Sequence, residues 1–274
     1  MAHTLGNPYD LVQVLRVAKN YKLWIIEDCC DALGSKYDGR YVGTFGDLAT
    51  FSFYPAHQIT MGEGGAVVTN NPDLYVAVNS FCEWGRDCWC KTGQDNRCGR
   101  RFGFKLGKLP YGYDHKYIYS HIGYNLKLTD IQAAIGLVQL EKLPQFIKVR
   151  KKNFESLYKH LKKYEKFFIL PSWESLSQPC WFGFMIVLSE NCPFSRLDIV
   201  NFLQSQKIET RGLYAGNLLR HPAYQKIKHR VVGNLKNSGL VMNNGFWIGV
   251  YPGIDKKQLD YVVSKFDEFF QNFT

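Results

Sequence analysis

The chain has 274 residues, 46% of them hydrophobic and 15% aromatic, enough to bury one large core or two modest ones. No apolar run approaches the roughly 18 residues of a membrane span, and the start MAHTLGNPYD lacks the basic-then-apolar layout of a secretory signal, so the sequence predicts a cytoplasmic, membrane-free protein. The net charge of +10 fits an anionic small-molecule ligand better than a nucleic acid, because no nucleic-acid motif accompanies it.

Apolar positions Leu11, Val14, Leu15 and Ala18 predict a helix over 8–20. Trp24-Ile25-Ile26-Glu27-Asp28 reads as a buried parallel strand ending in a carboxylate, the end at which α/β sheets place ligand-binding residues. The runs Leu48–Phe51 and Ala66–Thr69 predict two further strands. The loop between them, SFYPAHQITMGEGG, carries His57 and a glycine cluster that lets backbone approach a ligand. Asn71-Pro72-Asp73 opens a helix to about residue 82.

Residues 84–120 hold three cysteines, many aromatics and no sustained periodicity, the signature of a long functional loop. A strong helical pattern begins at Thr129 or Asp130, with Ile131, Ala134, Ile135, Val138 and Leu143 on the face expected to be buried. Pro144 is expected to break or kink it before a second helix over 146–163, and we place a domain boundary at 143/144. The remainder reads as a smaller α+β unit, with strands over 181–188 and 246–250 and helices over 195–206 and 256–272.

Eight cysteines without a secretion signal argue for metal ligands or packed thiols rather than a disulfide framework. Four thiolates suit a 2Fe–2S cluster or a tetrahedral zinc, and spacing alone does not separate the two. Cys29, Cys82, Cys180 and Cys192 read as packed apolar residues.

The set Glu27-Asp28, Ala32-Leu33-Gly34, Gly46-Asp47, Ser52-Phe53 and Gly62-Glu63-Gly64-Gly65 resembles the DegT/DnrJ/EryC1/StrS family of nucleotide-sugar aminotransferases. That resemblance implies an α/β, aspartate aminotransferase-like fold (vitamin B6 fold type I): part of a large mixed-sheet domain over 1–143 and a smaller C-terminal domain over 144–274. Where the family normally has the lysine that bonds pyridoxal 5'-phosphate, this chain has His57. An imidazole cannot form that bond but can move protons near neutral pH. The resemblance therefore implies non-covalent pyridoxamine 5'-phosphate and a sugar 3-dehydratase with His57 as the catalytic base. It assigns Asp28 to the pyridine nitrogen, Ser52 to the cofactor phosphate and Asn125 to that phosphate in a homodimer partner. Asp31 and Glu63 are supporting groups, and Arg211 and Arg220 candidates for the substrate's diphosphate.

The resemblance singles out Cys30, Cys88, Cys90 and Cys98, whose spacing C-x57-C-x-C-x7-C is similar to that of the family's cluster-dependent dehydratases. This implies a 2Fe–2S cluster on Cys30, Cys88, Cys90 and Cys98, a flavin/iron–sulfur reductase partner, and a CDP-4-keto-6-deoxyhexose substrate in O-antigen lipopolysaccharide biosynthesis. A cluster-free dehydratase or aminotransferase relative, and a non-catalytic metal-stapled fragment, stay open. The family's N-terminal part is missing from the sequence, so catalysis is expected of a longer protein.

Overall fold

The computed structural model of the chain describes residues 1–91, 93–271 and 273. Helix α1 (Leu11–Tyr21) starts where the Asp10 side chain accepts from Gln13 N, and ends at Lys22 in the left-handed conformation (φ 53°). Leu11 and Ala18 are buried on its inner face, as their spacing predicts. Strand β1 (Ile26–Asp28) follows, then two short strands, β2 (Lys36–Tyr37) and β3 (Arg40–Tyr41), then β4 (Leu48–Ser52) and β5 (Gly65–Val68). β4 is the centre of a three-stranded sheet, parallel to β1 and antiparallel to β5. The parallel pairing was expected. The expected burial of the run is not found: Trp24 is 69% and Ile26 51% exposed, because β1 is the edge of this sheet and, among the described residues, its outer side meets an isolated bridge at Ala2.

The turn between β3 and β4 is organised by Glu27, which is fully buried. Its carboxylate accepts from Gly43 N (2.8 Å), Phe45 N (2.8 Å) and Gly46 N (2.7 Å), and meets His3 Nε2 at 3.2 Å. Burial pushes this carboxyl up, but the His3 and backbone hydrogen bonds outweigh it and hold it below its ordinary value. With Cys29 these two side chains form a tight buried trio whose donor atoms lie within 4.8 Å of one another. The Glu27 oxygens are already taken by hydrogen bonds, and burial pushes the Cys29 thiol far up, so the trio is structural rather than a metal site.

Asn71 caps α2 (Pro72–Cys82), and among the described residues the loop to residue 129 carries a 3₁₀ turn at His115–Tyr117 and isolated bridges between Glu83 and Asn125 and between Arg86 and Tyr119. Helix α3 (Asp130–Leu161) opens with a capping box between Thr129 and Gln132. It runs through Pro144 without a break. Pro144 lies on an exposed stretch, where water can serve the carbonyl that loses its partner. The 143/144 boundary read from the sequence therefore falls inside one helix. The apolar face of its first half is open rather than buried, with Ile131 76% and Leu137 66% exposed, because this chain supplies nothing to cover it among the described residues.

The second half of α3 belongs to the main core. Beyond it come β6 (Phe168–Ile169), β7 (Ser177–Gln178), β8 (Gly183–Leu188), α4 (Arg196–Ser205), β9 (Thr210–Arg211), α5 (Lys236–Asn244), β10 (Gly245–Gly249) and α6 (Lys256–Phe270). The antiparallel sheet β6–β8–β10–β9 packs against α3, α4 and α6 around Phe154, Phe184, Phe246 and Phe266. Full burial of rings this size drives the packing, each contributing about 1.5–3 kcal/mol. A third small sheet, β3–β2–β7, ties the two halves together.

Candidate active site

The site forms where β1 and β4 end side by side. Asp28 is the last residue of β1, and its Oδ1 accepts from Cys30 N (3.1 Å) and Thr50 Oγ1 (3.4 Å). Ser52 closes β4, and its Oγ accepts from Tyr54 N at 3.3 Å. The loop beyond returns on itself through Phe53 N to Gly64 O (2.9 Å) and Met61 N to Phe53 O (2.9 Å), with Gly62 at φ +79° providing the reversal. This fold-back fixes His57 near Asp31 and the end of β1.

His57 Nδ1 lies 3.5 Å from Asp31 Oδ1 and has no closer hydrogen-bond partner among the described residues. Its ring packs 5.2 Å from Phe182 and 6.3 Å from Tyr54. Burial holds the imidazole below its ordinary value and nearby Arg150 adds to this, while the Cys30 peptide and Asp28 oppose it. A neutral imidazole is the form that can accept a proton. Asp31 shows the opposite response: burial pushes its carboxyl up to about 6, with Asp28 adding repulsion and the Leu5 amide opposing.

Two buried side chains absent from the sequence reading support this loop. Arg150 of α3 is 2% exposed and donates to Trp181 O (3.3 Å), Phe182 O (3.2 Å) and His57 O (3.4 Å). Gln58 donates to Asp31 O and, at 3.3 Å, to Cys180 O. A third missed group is Tyr214, whose hydroxyl reaches Asp31 Oδ2 from the C-terminal unit. A lone arginine in a lysine-rich helix was the available signal for Arg150, and no local pattern announces Tyr214.

The remaining candidates are dispersed. Asn125 sits in a surface bridge with Glu83. The Glu63 carbonyl accepts from Gln132 Nε2 at 2.9 Å, which anchors the glycine cluster to α3. Arg211 pairs with Glu209 at 2.6 Å, and Arg220 Nη1 donates to Asn243 Oδ1 at 3.1 Å. No described contact brings either arginine to His57.

Of the four cysteines, Cys88, Cys90 and Cys98 line one small cavity with Asp95, Asn96, Arg101, His115 and Lys116. Burial and the neighbouring thiols push Cys88 up. Arg101 bonds Asp114 in a bidentate pair (2.7 and 2.8 Å), and Lys116 bonds Asp95 at 2.5 Å, so an ion-pair network braces the cavity wall. Cys30 is not part of that wall: its thiol lies 3.8 Å from Thr50 Oγ1 and is pushed up to about 11 by burial and Asp28.

The sequence pattern of the DegT/DnrJ/EryC1/StrS aminotransferase family matches residues 1–267. The chain belongs to that family. It is 57% identical over 270 residues to the lipopolysaccharide biosynthesis protein RfbH of Salmonella typhimurium, covering 98% of this chain and 62% of that protein. It is 49% identical over 269 residues to a dTDP-4-dehydro-2,6-dideoxy-D-glucose 3-dehydratase of Saccharopolyspora spinosa, covering 98% and 58%. The chain thus spans about three fifths of these relatives. Among solved structures, an Escherichia coli GDP-4-keto-6-deoxy-D-mannose-3-dehydratase with bound hydrated pyridoxal phosphate superposes with TM-score 0.81 at 25% identity, over 96% of this chain and 65% of that one. An aminotransferase from Psychrobacter cryohalolentis gives 0.83 at 23% identity, over 99% and 68%. The fold is the mixed α/β architecture of these enzymes, as the sequence reading expected.

Proposed function

We propose that this chain carries most of a B6-dependent sugar 3-dehydratase, acting on a nucleotide-linked 4-keto-6-deoxyhexose on the route to 3,6-dideoxyhexoses of lipopolysaccharide. The carrying observation is His57: an imidazole without a covalent tether, its buried Nδ1 facing Asp31 Oδ1 at 3.5 Å with no closer partner among the described residues, set beside the Asp28 strand end. The residues suit pyridoxamine 5'-phosphate. Asp28 offers a carboxylate fixed by two hydrogen bonds for the ring nitrogen, and Ser52 a hydroxyl at a strand end for the phosphate. When bound, that cofactor supplies a primary amine for the C4 ketone and a ring that withdraws electrons.

The protein's own part is proton handling and orientation. With the cofactor bound, Asp28 would face the ring nitrogen and favour its protonated form, and His57, whose burial favours the neutral imidazole, would take up and return the proton at C4′. Phe182 and Tyr54 wall the imidazole. Asn125 reaching the phosphate of a homodimer partner, Arg211 and Arg220 meeting a diphosphate, and CDP as the nucleotide all rest on the family resemblance.

We extend the proposal to a 2Fe–2S cluster on Cys88, Cys90, Cys98 and Cys30, fed by a flavin/iron–sulfur reductase. The chemistry of the donor set fits in part, since three of the thiols share a cavity and all eight cysteines are free. A cytoplasmic setting suits that redox state. One observation favours a second reading, a cluster-free 3-dehydratase: Cys30 sits against Thr50, apart from the other three. Anaerobic purification with iron and sulfide analysis separates them, with about two irons per chain expected for the first and none for the second. The reaction is tested by product analysis of nucleotide-linked 4-keto-6-deoxyhexoses incubated with pyridoxamine 5'-phosphate and a reductant. Loss of the C3 oxygen supports dehydration, and a 4-amino sugar overturns it.

A further inference from the structure

Asp31 and His57 are each pinned by their backbones. Gln58 holds the Asp31 carbonyl, and Arg150 holds the His57 carbonyl from the far side of the loop. What remains free is the rotation of the two side chains. The Asp31 carboxylate is fixed at one oxygen: Oδ2 accepts from Leu5 N at 3.2 Å and from the Tyr214 hydroxyl. That leaves Oδ1 turned to His57 Nδ1 at 3.5 Å.

Tyr214 reaches Asp31 from another part of the chain, 183 residues away, and its backbone is adapted to do so. It adopts φ +44°, a conformation rare for a bulky residue. Its loop is tied down by Trp247 Nε1 to Gly212 O (3.1 Å) and by His221 Nε2 to Ala215 O (2.7 Å). Gly216 packs so closely on Met242 that a Cβ there would stand 2.8 Å from Met242 Cβ. The ring itself is 62% exposed, so burial of apolar surface does not account for the strained placement.

We propose that Tyr214 is a positioning residue for His57: its hydroxyl fixes Asp31 so that Asp31 Oδ1 faces Nδ1, selects the Nδ1–H tautomer and leaves the Nε2 lone pair as the base. The proposal rests on the base role of His57 given above. Of the other groups around the imidazole, the Cys30 peptide carbonyl only accepts, Arg150 disfavours a charged ring, Asp28 favours one, and Tyr54 and Phe182 offer ring surface. Distances of this length tighten when a ligand fills the site.

The test reads the tautomer directly, by side-chain ¹⁵N–¹H correlation of the histidines in the whole chain without substrate or cofactor, at a pH where the ring is neutral. The wild type should hold His57 mainly as Nδ1–H. Tyr214→Phe, which removes one hydroxyl, should move the population at least about threefold toward Nε2–H with an unchanged unfolding midpoint. Asp31→Asn should do the same with Tyr214 intact. An Nε2–H wild type, or a ratio unmoved in either variant, overturns the proposal. Because nothing is bound in this measurement, its failure is separate from failure of the dehydratase reading, which the product analysis decides.

Discussion

Replacing Glu27 by Gln isolates what one buried carboxylate does for the turn beside the site. The glutamine oxygen can still serve the Phe45 and Gly46 amides, which both point at Oε1. Its amide nitrogen then faces the Gly43 N–H, donor against donor. One charge-assisted bond worth about 1.5–3 kcal/mol is lost, and two others fall by about 1 kcal/mol each to neutral strength. The expected loss is about 3–5 kcal/mol, a large share of a domain's net stability. Because the folded carboxyl is held below its ordinary value, its stabilisation is fully present above about pH 4.5 and fades as pH falls through the lower folded value. Urea unfolding of both proteins from pH 7 to pH 3 reads both effects, and the acid limb of the variant should be shallower. A variant within about 1 kcal/mol of wild type at pH 7 refutes the reasoning.

Asp31→Asn should act with the opposite sign. Its folded carboxyl is raised from 3.8 to about 6, so its contribution is complete below pH 3.8 and is lost as pH rises through about 6. Above that, the ionised group costs up to about 3 kcal/mol, and the variant's stability should be flatter over this window in the same urea titration. Arg150→Met removes the donor from two buried carbonyls and one half-buried one and should cost about 2–4 kcal/mol, while Arg150→Lys recovers part of it; equal midpoints for the two variants would count against the clamp. Gly85→Ala places a Cβ 1.9 Å from His121 O at φ +81°, so thermal unfolding should show a loss of at least about 2 kcal/mol.

What the sequence disclosed follows from the range of each signal. Helices α1, α2, α4 and α6 were legible because caps and periodicity are local: Asp10, Asn71, Ser195 and Asp255 all accept from amides within their own first turns. The strands β2, β3, β6, β7 and β9 were missed, since two residues carry no period. In α3 the pattern of Ile131, Ile135 and Val138 reports that a face is apolar but not what covers it. Asp28, Ser52 and His57 stood out in the sequence because each sits at a strand end or in the loop leaving one, and their roles stay proposals. Arg150 and Tyr214 act across 93 and 183 residues, a distance no motif spans. Glu27 was read as part of a family motif, and the structure gives it the job of holding a turn.

The claim on which the functional account rests is that His57 moves the proton. Exchange of the C4′ hydrogen of pyridoxamine 5'-phosphate with heavy water, followed in this chain extended to the length of its relatives and in the His57→Asn variant of that protein, tests it most directly. The account predicts stereospecific exchange in the wild type and a drop of at least about a hundredfold in the variant, the scale of a lost general base. Equal exchange in both proteins would contradict it.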